Sequence, residues 1–246
     1  MGSVSVAPMV ACDSSFMIKS LFSFKLPGMD YEFHLNTTHV ALLIVSVFIL
    51  IVAVIARIKL NKVNSEDTPG MFMNIIELIV EMLQTMVEGL MGKNTSKFVN
   101  YLSTLFLFLI ISNIAGLFGL RPPTADYGVT FPLAIMTWIL IQFNGFKYQK
   151  FGKIKGLFEP IFLFFPMNLI SEFSTPISMS LRLFGNILSG TVMMGLLYGL
   201  LPRVLTLVWP AALHVYLDVF SGAIQTYVFC MLTMCFVSDA IGDETV

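Results

Sequence analysis

The chain has 246 residues, of which 57% are hydrophobic and only 12% charged, and its 14 basic and 15 acidic residues leave a net charge of −1. A soluble domain carries about 25% charged residues and still exposes much of its surface to water, so this composition excludes a soluble enzyme and a disordered chain. Near-neutral charge excludes a nucleic-acid binder, and three cysteines, Cys12, Cys230 and Cys235, are too few and too oddly spaced for a disulfide framework or a zinc site.

What remains is an all-α polytopic membrane protein: an external segment over residues 1–39, then a single membrane domain over residues 40–246. The first apolar run, Val40 to Ala56, is closed by Arg57, Lys59 and Lys62 and predicts a span over about residues 40–60. The positive charges place that end in the cytoplasm and the N-terminus outside. A secretory signal is excluded, because a long, mostly polar segment without a basic n-region comes first and no small-residue cleavage site follows.

A loop from Ser65 to Gly70 leads to a helix over about residues 69–92, with Thr68 suited to cap it and Pro69 to its first position. Ile75, Ile76, Ile79, Met82, Leu83 and Met86 are predicted to form an apolar face, with Glu77, Glu81, Gln84 and Glu88 opposite. Four polar groups argue against a spanning role, so the helix is expected to lie on the membrane surface. Its acidic face is either solvated or a docking face for a partner.

A span over about residues 98–119, preceded by Lys93 and Lys97, runs outward to an external turn, Arg121-Pro122-Pro123-Thr124-Ala125-Asp126. A third span, 129–146, returns to a cytoplasmic marker made by Lys147, Lys150, Lys153 and Lys155. The last two segments, 158–201 and 203–238, would be about 66 Å and about 54 Å long as single helices at 1.5 Å per residue, against a hydrocarbon core of about 30 Å. Pro160, Pro166 and Pro176 do not mark a turn at the midpoint of the first, whereas Leu201-Pro202-Arg203 reads as the loop between the two. The preferred reading is two long, strongly tilted helices forming a hairpin, which gives five crossings and a cytoplasmic C-terminus. Seven ordinary crossings would put the C-terminus on the same side.

Between Pro160 and Ser238 the charged residues are Glu172, Arg182, Arg203 and Asp218. Arg203 belongs to the loop, but Arg182 is deep in an apolar run, where a charge costs about 2.5–3.5 kcal/mol on insertion scales. Glutamate or lysine can shed charge by changing protonation; arginine cannot. Arg182 is thus unsuited to carrying protons and well suited to attracting or releasing a carboxylate. Ser171, Thr175, Ser178, Arg182, Gly185 and Ser189 recur three or four residues apart, with Asn186 four beyond the arginine, so they share one small, polar helix face. Such a face lets another helix approach closely. A purely structural small-residue seam explains the serines and glycines but not the arginine. His214, Asp218, Ser221 and Gln225 form a second stripe, expected to face the first and bring Asp218 or Gln225 near Arg182. A structural Arg182–Asp218 ion pair is the competing reading, and His214 taken alone is equally a satisfied core histidine. No nucleophile–base set, metal-ligand cluster or phosphate loop is visible.

The run Asn168 to Asn186, and above all Ser180-Leu-Arg182-Leu-Phe-Gly-Asn186, resembles the signature of subunit a of F-type ATP synthases. Pro122 to Asp126 with Val129-Thr130, Pro69-Gly70 with Asn74 and Glu77, and Gln225 resemble further parts of that family from about His39 onward. The lack of a transit peptide resembles the bacterial form. The resemblance implies a non-catalytic stator subunit of the bacterial plasma membrane, without cofactor or nucleotide site, beside a rotating c-ring and with subunit b of the peripheral stalk. It implies two offset half-channels that load and unload the c-ring carboxylates with a proton or sodium ion, with Arg182 between them. Glu172, Ser171, Thr175 and Ser178 would line the cytoplasmic half-channel. Asp126 and Asp218 would line the outward one, with Asn186 and Gln225 near the arginine, and Thr191, His214 and Ser221 as further candidates. Thr191 stands where many relatives carry Glu or His, and Asp218 where His is common. The alternative function is a cation-coupled secondary transporter, which predicts paired broken helices and a substrate pocket closed within one chain; no internal repeat is visible.

Overall fold

Residues 20–25, 32–60, 70–92, 95–118, 120–150, 152–153, 158, 162–200, 213 and 215–242 are described by this computed structural model. The chain divides into two compact units, Met1–Thr37 and Thr38–Val246. The first holds an antiparallel pair of strands, β1 (Ser20–Lys25) and β2 (Glu32–Asn36), in which Lys25 pairs with Glu32 and Phe24 with Phe33. No strand is expected from the polar character of residues 1–39. The local run Leu21-Phe22-Ser23-Phe24 nevertheless has the aromatic content that favours a pleated strand. All-α architecture therefore describes the membrane unit.

That unit opens with α1 (Thr37–Leu60), whose last turn carries Arg57 and Lys59 against the negative end of the helix dipole. Only a narrow stripe, Thr38, Ala41 and Val45, is buried, while Leu43 and Leu50 are 64% and 63% exposed. Helix α2 (Met71–Met91) starts after Gly70 without a side-chain cap; Thr68 and Pro69 lie outside the described residues. Its inward line is Met73, Leu83, Val87 and Met91. Ile75 and Met82, on the apolar face, are about half exposed, because the apolar arc of the helix is wider than the strip its neighbours cover. Glu77, Glu81, Gln84 and Glu88 are exposed, and Gln84 donates to Glu88 Oε1 at 2.8 Å.

Helix α3 (Thr95–Ile114) tightens into a 3-10 turn at Ala115–Phe118, and a second short 3-10 turn at Pro123–Ala125 precedes α4 (Tyr127–Gln149). Helix α5 (Phe165–Leu200) follows a 3-10 turn at Phe162–Phe164, and α6 (Gly222–Ile241) continues a π-helical segment, Val215–Ser221. Residues 201–212, including Arg203, lie outside the description. Five stretches are long and apolar enough to cross a membrane: Thr37–Lys59, Lys97–Phe118, Tyr127–Gln149, Phe165–Leu197 and Val215–Ile241. Helix α2 is not among them. As a single helix of 36 residues, α5 is about 54 Å long, so it must incline within a core of about 30 Å or project beyond it.

Helix α6 is the hub. Phe229, Cys230, Met234, Val237 and Ile241 point inward at helical spacing and meet Leu83 and Val87 of α2, Leu105 and Leu109 of α3, Ala134 and Ile141 of α4, and Leu183 of α5. Among the described residues α5 and α6 touch each other less than each touches α4. The turn of the expected hairpin lies outside the described residues.

A buried polar knot fixes one end of this bundle. Asn113 donates through Nδ2 to Gly222 O at 3.0 Å and to Thr226 Oγ1 at 3.2 Å, and its Oδ1 accepts from Thr124 Oγ1 at 3.0 Å. Both amide hydrogens and the carbonyl are thus used, which removes the penalty of a buried orphan. Gly222 is required there: a Cβ would lie 2.8 Å from Asn113 Cβ, an atom with no freedom to move aside. Gly222→Ala should force α3 and α6 apart and lower stability by about 1–3 kcal/mol, seen as a lower melting temperature of the purified protein in detergent.

Candidate functional site

The inward edge of α5 is made by Pro176, Met179, Ser180 and Leu183. The small polar face turns the other way: Ser171, Ser178, Arg182 and Ser189 are exposed, and Thr175, Gly185 and Asn186 are half-buried. Among the described residues the Arg182 guanidinium has neither an ion pair nor a hydrogen bond. Asp218 and Arg182 are not paired. A Cβ at Gly185, three residues on, would meet nothing within 4 Å. Several hydroxyls on α5 turn their hydrogens to their own helix: Thr175 to Ser171 O at 3.2 Å, Ser189 to Asn186 O at 2.9 Å and Thr191 to Ile187 O at 2.8 Å. Their free lone pairs face outward, as acceptors for a hydrated cation or a donor.

The second stripe does not remain one line. Residues 215–221 are π-helical, and the wider i→i+5 turn breaks the three-and-four spacing that an α-helix would stack. Asp218 lies against the α3 end, where a Cβ on Gly116 would meet its Oδ2 at 3.3 Å. Ser221 turns to α5 and donates to Asn186 Oδ1 at 2.8 Å; this is where the two stripes meet. Gln225 is buried, and its Nε2 has no partner among the described residues. His214 lies outside the described residues. Asp126 caps α4, its Oδ1 accepting from Gly128 N at 2.9 Å. Its carboxylate favours the positive end of the helix dipole.

At the other end of α5, Glu172 stands between two cavities. One, of about 280 Å³, is lined by Glu172, Thr175, Gln142, Gln149, Lys153 and Asp239 among others. The second, of about 400 Å³, is mostly aromatic and shares Glu172 and Lys153 on its wall. Ser171 and Ser178 do not line the polar cavity, so of the four residues expected there the structure brings together Glu172 and Thr175. The backbone at this point is held by a tertiary contact. Pro176 lacks the N–H that would bond the Glu172 carbonyl four residues earlier, and Trp138 Nε1 supplies the missing donor at 3.1 Å.

Gln142 and Lys153 are functional candidates that sequence reasoning missed, with Asn113 as the missed structural partner. Lys153 reads in the sequence only as one of four topology-marking lysines. Asn113 and Gln142 had a signal, since each is a polar group within an apolar span. Among the described residues no three or more His, Cys, Asp or Glu side chains converge as metal ligands would.

Residues 39–238 match the family described as ATP synthase A chain. The chain is similar to the sodium ion specific ATP synthase subunit a of Propionigenium modestum, 36% identical, with 90% of this chain and 80% of the relative covered. It is similar also to ATP synthase subunit a of Moorella thermoacetica, 30% identical over 85% of this chain and 94% of the relative. A chloroplastic ATP synthase subunit a from Oedogonium cardiacum is 30% identical over 87% and 86%.

Trp138→Phe should leave the Glu172 carbonyl without a donor and lower stability by about 1 kcal/mol. The loss should shrink in a Pro176→Ala background, where the alanine N–H reaches the same carbonyl. Thermal melts of the two single variants and the double variant measure this coupling.

Proposed function

The chain belongs to the ATP synthase A chain family, and from that premise we propose how its residues move ions. It is a multi-pass membrane protein and the non-catalytic, ion-translocating subunit a of an F-type ATP synthase. We place its N-terminus outside and its C-terminus in the cytoplasm of a bacterial plasma membrane, on the lysine distribution around the spans. We take its partners to be the c-ring along the outward face of α5, subunit b of the stalk, and surrounding lipid.

The observation that carries this reading is that Arg182, on an exposed, small-residue face, has no partner among the described residues. A permanent charge in the membrane needs an acid, and the acid comes from outside this chain. A carboxylate on a passing rotor subunit is held in its charged form when it comes beside the guanidinium. As the ring turns, that carboxylate leaves Arg182, takes up an ion from one half-channel, and later releases it to the other. The fixed cation also repels mobile cations, which blocks a direct leak between the two paths.

In this reading Glu172 and Thr175 line the cytoplasmic path, with Ser171 and Ser178 along the face toward the ring. Ten residues separate Glu172 from Arg182, which is about 15 Å of helix, half of the hydrocarbon core. Asp126, Asp218, Asn186, Ser221 and Gln225 serve the outward path. The buried Gln225 Nε2, without a partner among the described residues, and the contact between Asn186 and Ser221 support polar access at that depth. We give Thr191 and His214 subsidiary places there. A transporter acting alone would enclose its cationic residue in a pocket of its own; the Arg182 face is open.

Arg182→Ala should abolish ATP-driven ion uptake by the complex reconstituted in liposomes; uptake at the normal rate would remove the central role assigned to it. Gly185→Ala should not lower the melting temperature of the isolated subunit, since alanine is the better helix former and a Cβ there meets nothing within 4 Å among the described residues. The same change should lower uptake several-fold if the ring packs closely on this face. Repeating uptake with and without sodium, and with a protonophore, names the coupled ion.

A further inference from the structure

Glu172 does not face its cavity alone. Its Oε1 accepts from Gln142 Nε2 at 2.8 Å and lies 3.2 Å from Lys153 Nζ. The same ammonium donates to Gln142 Oε1, so the three side chains close a ring. The lysine side chain is 11% exposed and the glutamate 27%. Its stem runs across the α4 backbone at Gly145, where a Cβ would stand 2.6 Å from Nζ and 2.7 Å from Cδ. A side chain at position 145 would force the lysine stem and its ammonium to shift.

An ammonium is a compact point charge. The seat it fills, a carboxylate oxygen and an amide oxygen, is made of the hard ligands that a sodium or hydronium ion also takes. Asp239 lines the adjoining cavity as a second acid, which makes that cavity attractive to cations. A strut would explain the ion pair but not the clearance kept open for it by Gly145, and partly exposed pairs add little stability. We propose that the Glu172 and Gln142 oxygens form a cation-binding station on the ion path, and that Lys153 is its tethered competitor, displaced whenever an ion enters. This rests on the ion-path reading of Glu172.

The test uses the whole complex in liposomes and measures the coupling-ion concentration that half-saturates ATP-driven uptake, read as sodium or as a pH midpoint. Lys153→Gln should lower it about two- to fivefold, the range a partly exposed ion pair imposes. Gly145→Ala should shift it the same way while keeping both charges. In a Glu172→Gln background Lys153→Gln should have no further effect. During ATP synthesis, where ions enter from the other side, the half-saturating concentration should not change. Unchanged values in both Lys153→Gln and Gly145→Ala, equal shifts in both directions, or failure of both variants to assemble would overturn the station and leave Lys153 a strut. Arg182→Ala in the same assay reports separately on the ion-path reading. If that variant still pumps, the reading itself falls; if it is silent while the Lys153 variants show no shift, only the station does.

Discussion

A guanidinium that keeps its charge at every accessible pH, on a helix that crosses the membrane, is the constraint around which this protein is built. Placing such a charge near the bilayer centre costs about 2.5–3.5 kcal/mol or more. The chain does not offset that cost internally: Arg182 is exposed and has no acid of its own among the described residues. In the function proposed above, the demand is answered by a carboxylate of a neighbouring subunit, whose protonation the arginine then controls. Serines and glycines beside Arg182 keep that face low, while Met179 and Leu183 on the opposite edge hold α5 to the rest of the bundle.

Holding so long a helix requires support along its length. Helix α4 provides it, and the details are complementary rather than generic. Pro176 leaves the Glu172 carbonyl without its own helix donor, and Trp138 of α4 takes it. The result is a helix whose polar end is anchored through its backbone, leaving the Glu172 carboxylate to face the cavities. At the opposite end Asn113, Thr124, Thr226 and the Gly222 carbonyl satisfy one another, which ties the turn at Pro123–Ala125 to the start of α6. Between these two fixed ends lie the groups assigned to ion movement, several of them with unused lone pairs or donors.

Much of this was legible in the residues. The spans follow from apolar runs closed by lysine and arginine, and the amphipathic helix α2 from carboxylates at helical spacing. Arg182 declares itself because no apolar run tolerates an arginine without reason. Helical spacing carried less far in the second stripe. Residues 215–221 are π-helical, Asp218 lies against the turn after α3, Ser221 bonds Asn186 of α5, and the buried Gln225 Nε2 has no partner among the described residues. The strands β1 and β2 went unseen because a short aromatic alternation within a polar segment has no core to declare.

From the sequence alone came the class of protein, the number of crossings, and the one arginine deep in an apolar run, because each depends on composition and spacing along a single helix. The pairing of Lys153 with Glu172 and Gln142, the seat that Gly145 clears for it, and the closure of the Asn113 knot were decided only by the tertiary structure. Each depends on side chains from different helices meeting within about 3 Å, and one-dimensional spacing has no information about which helix lies beside which.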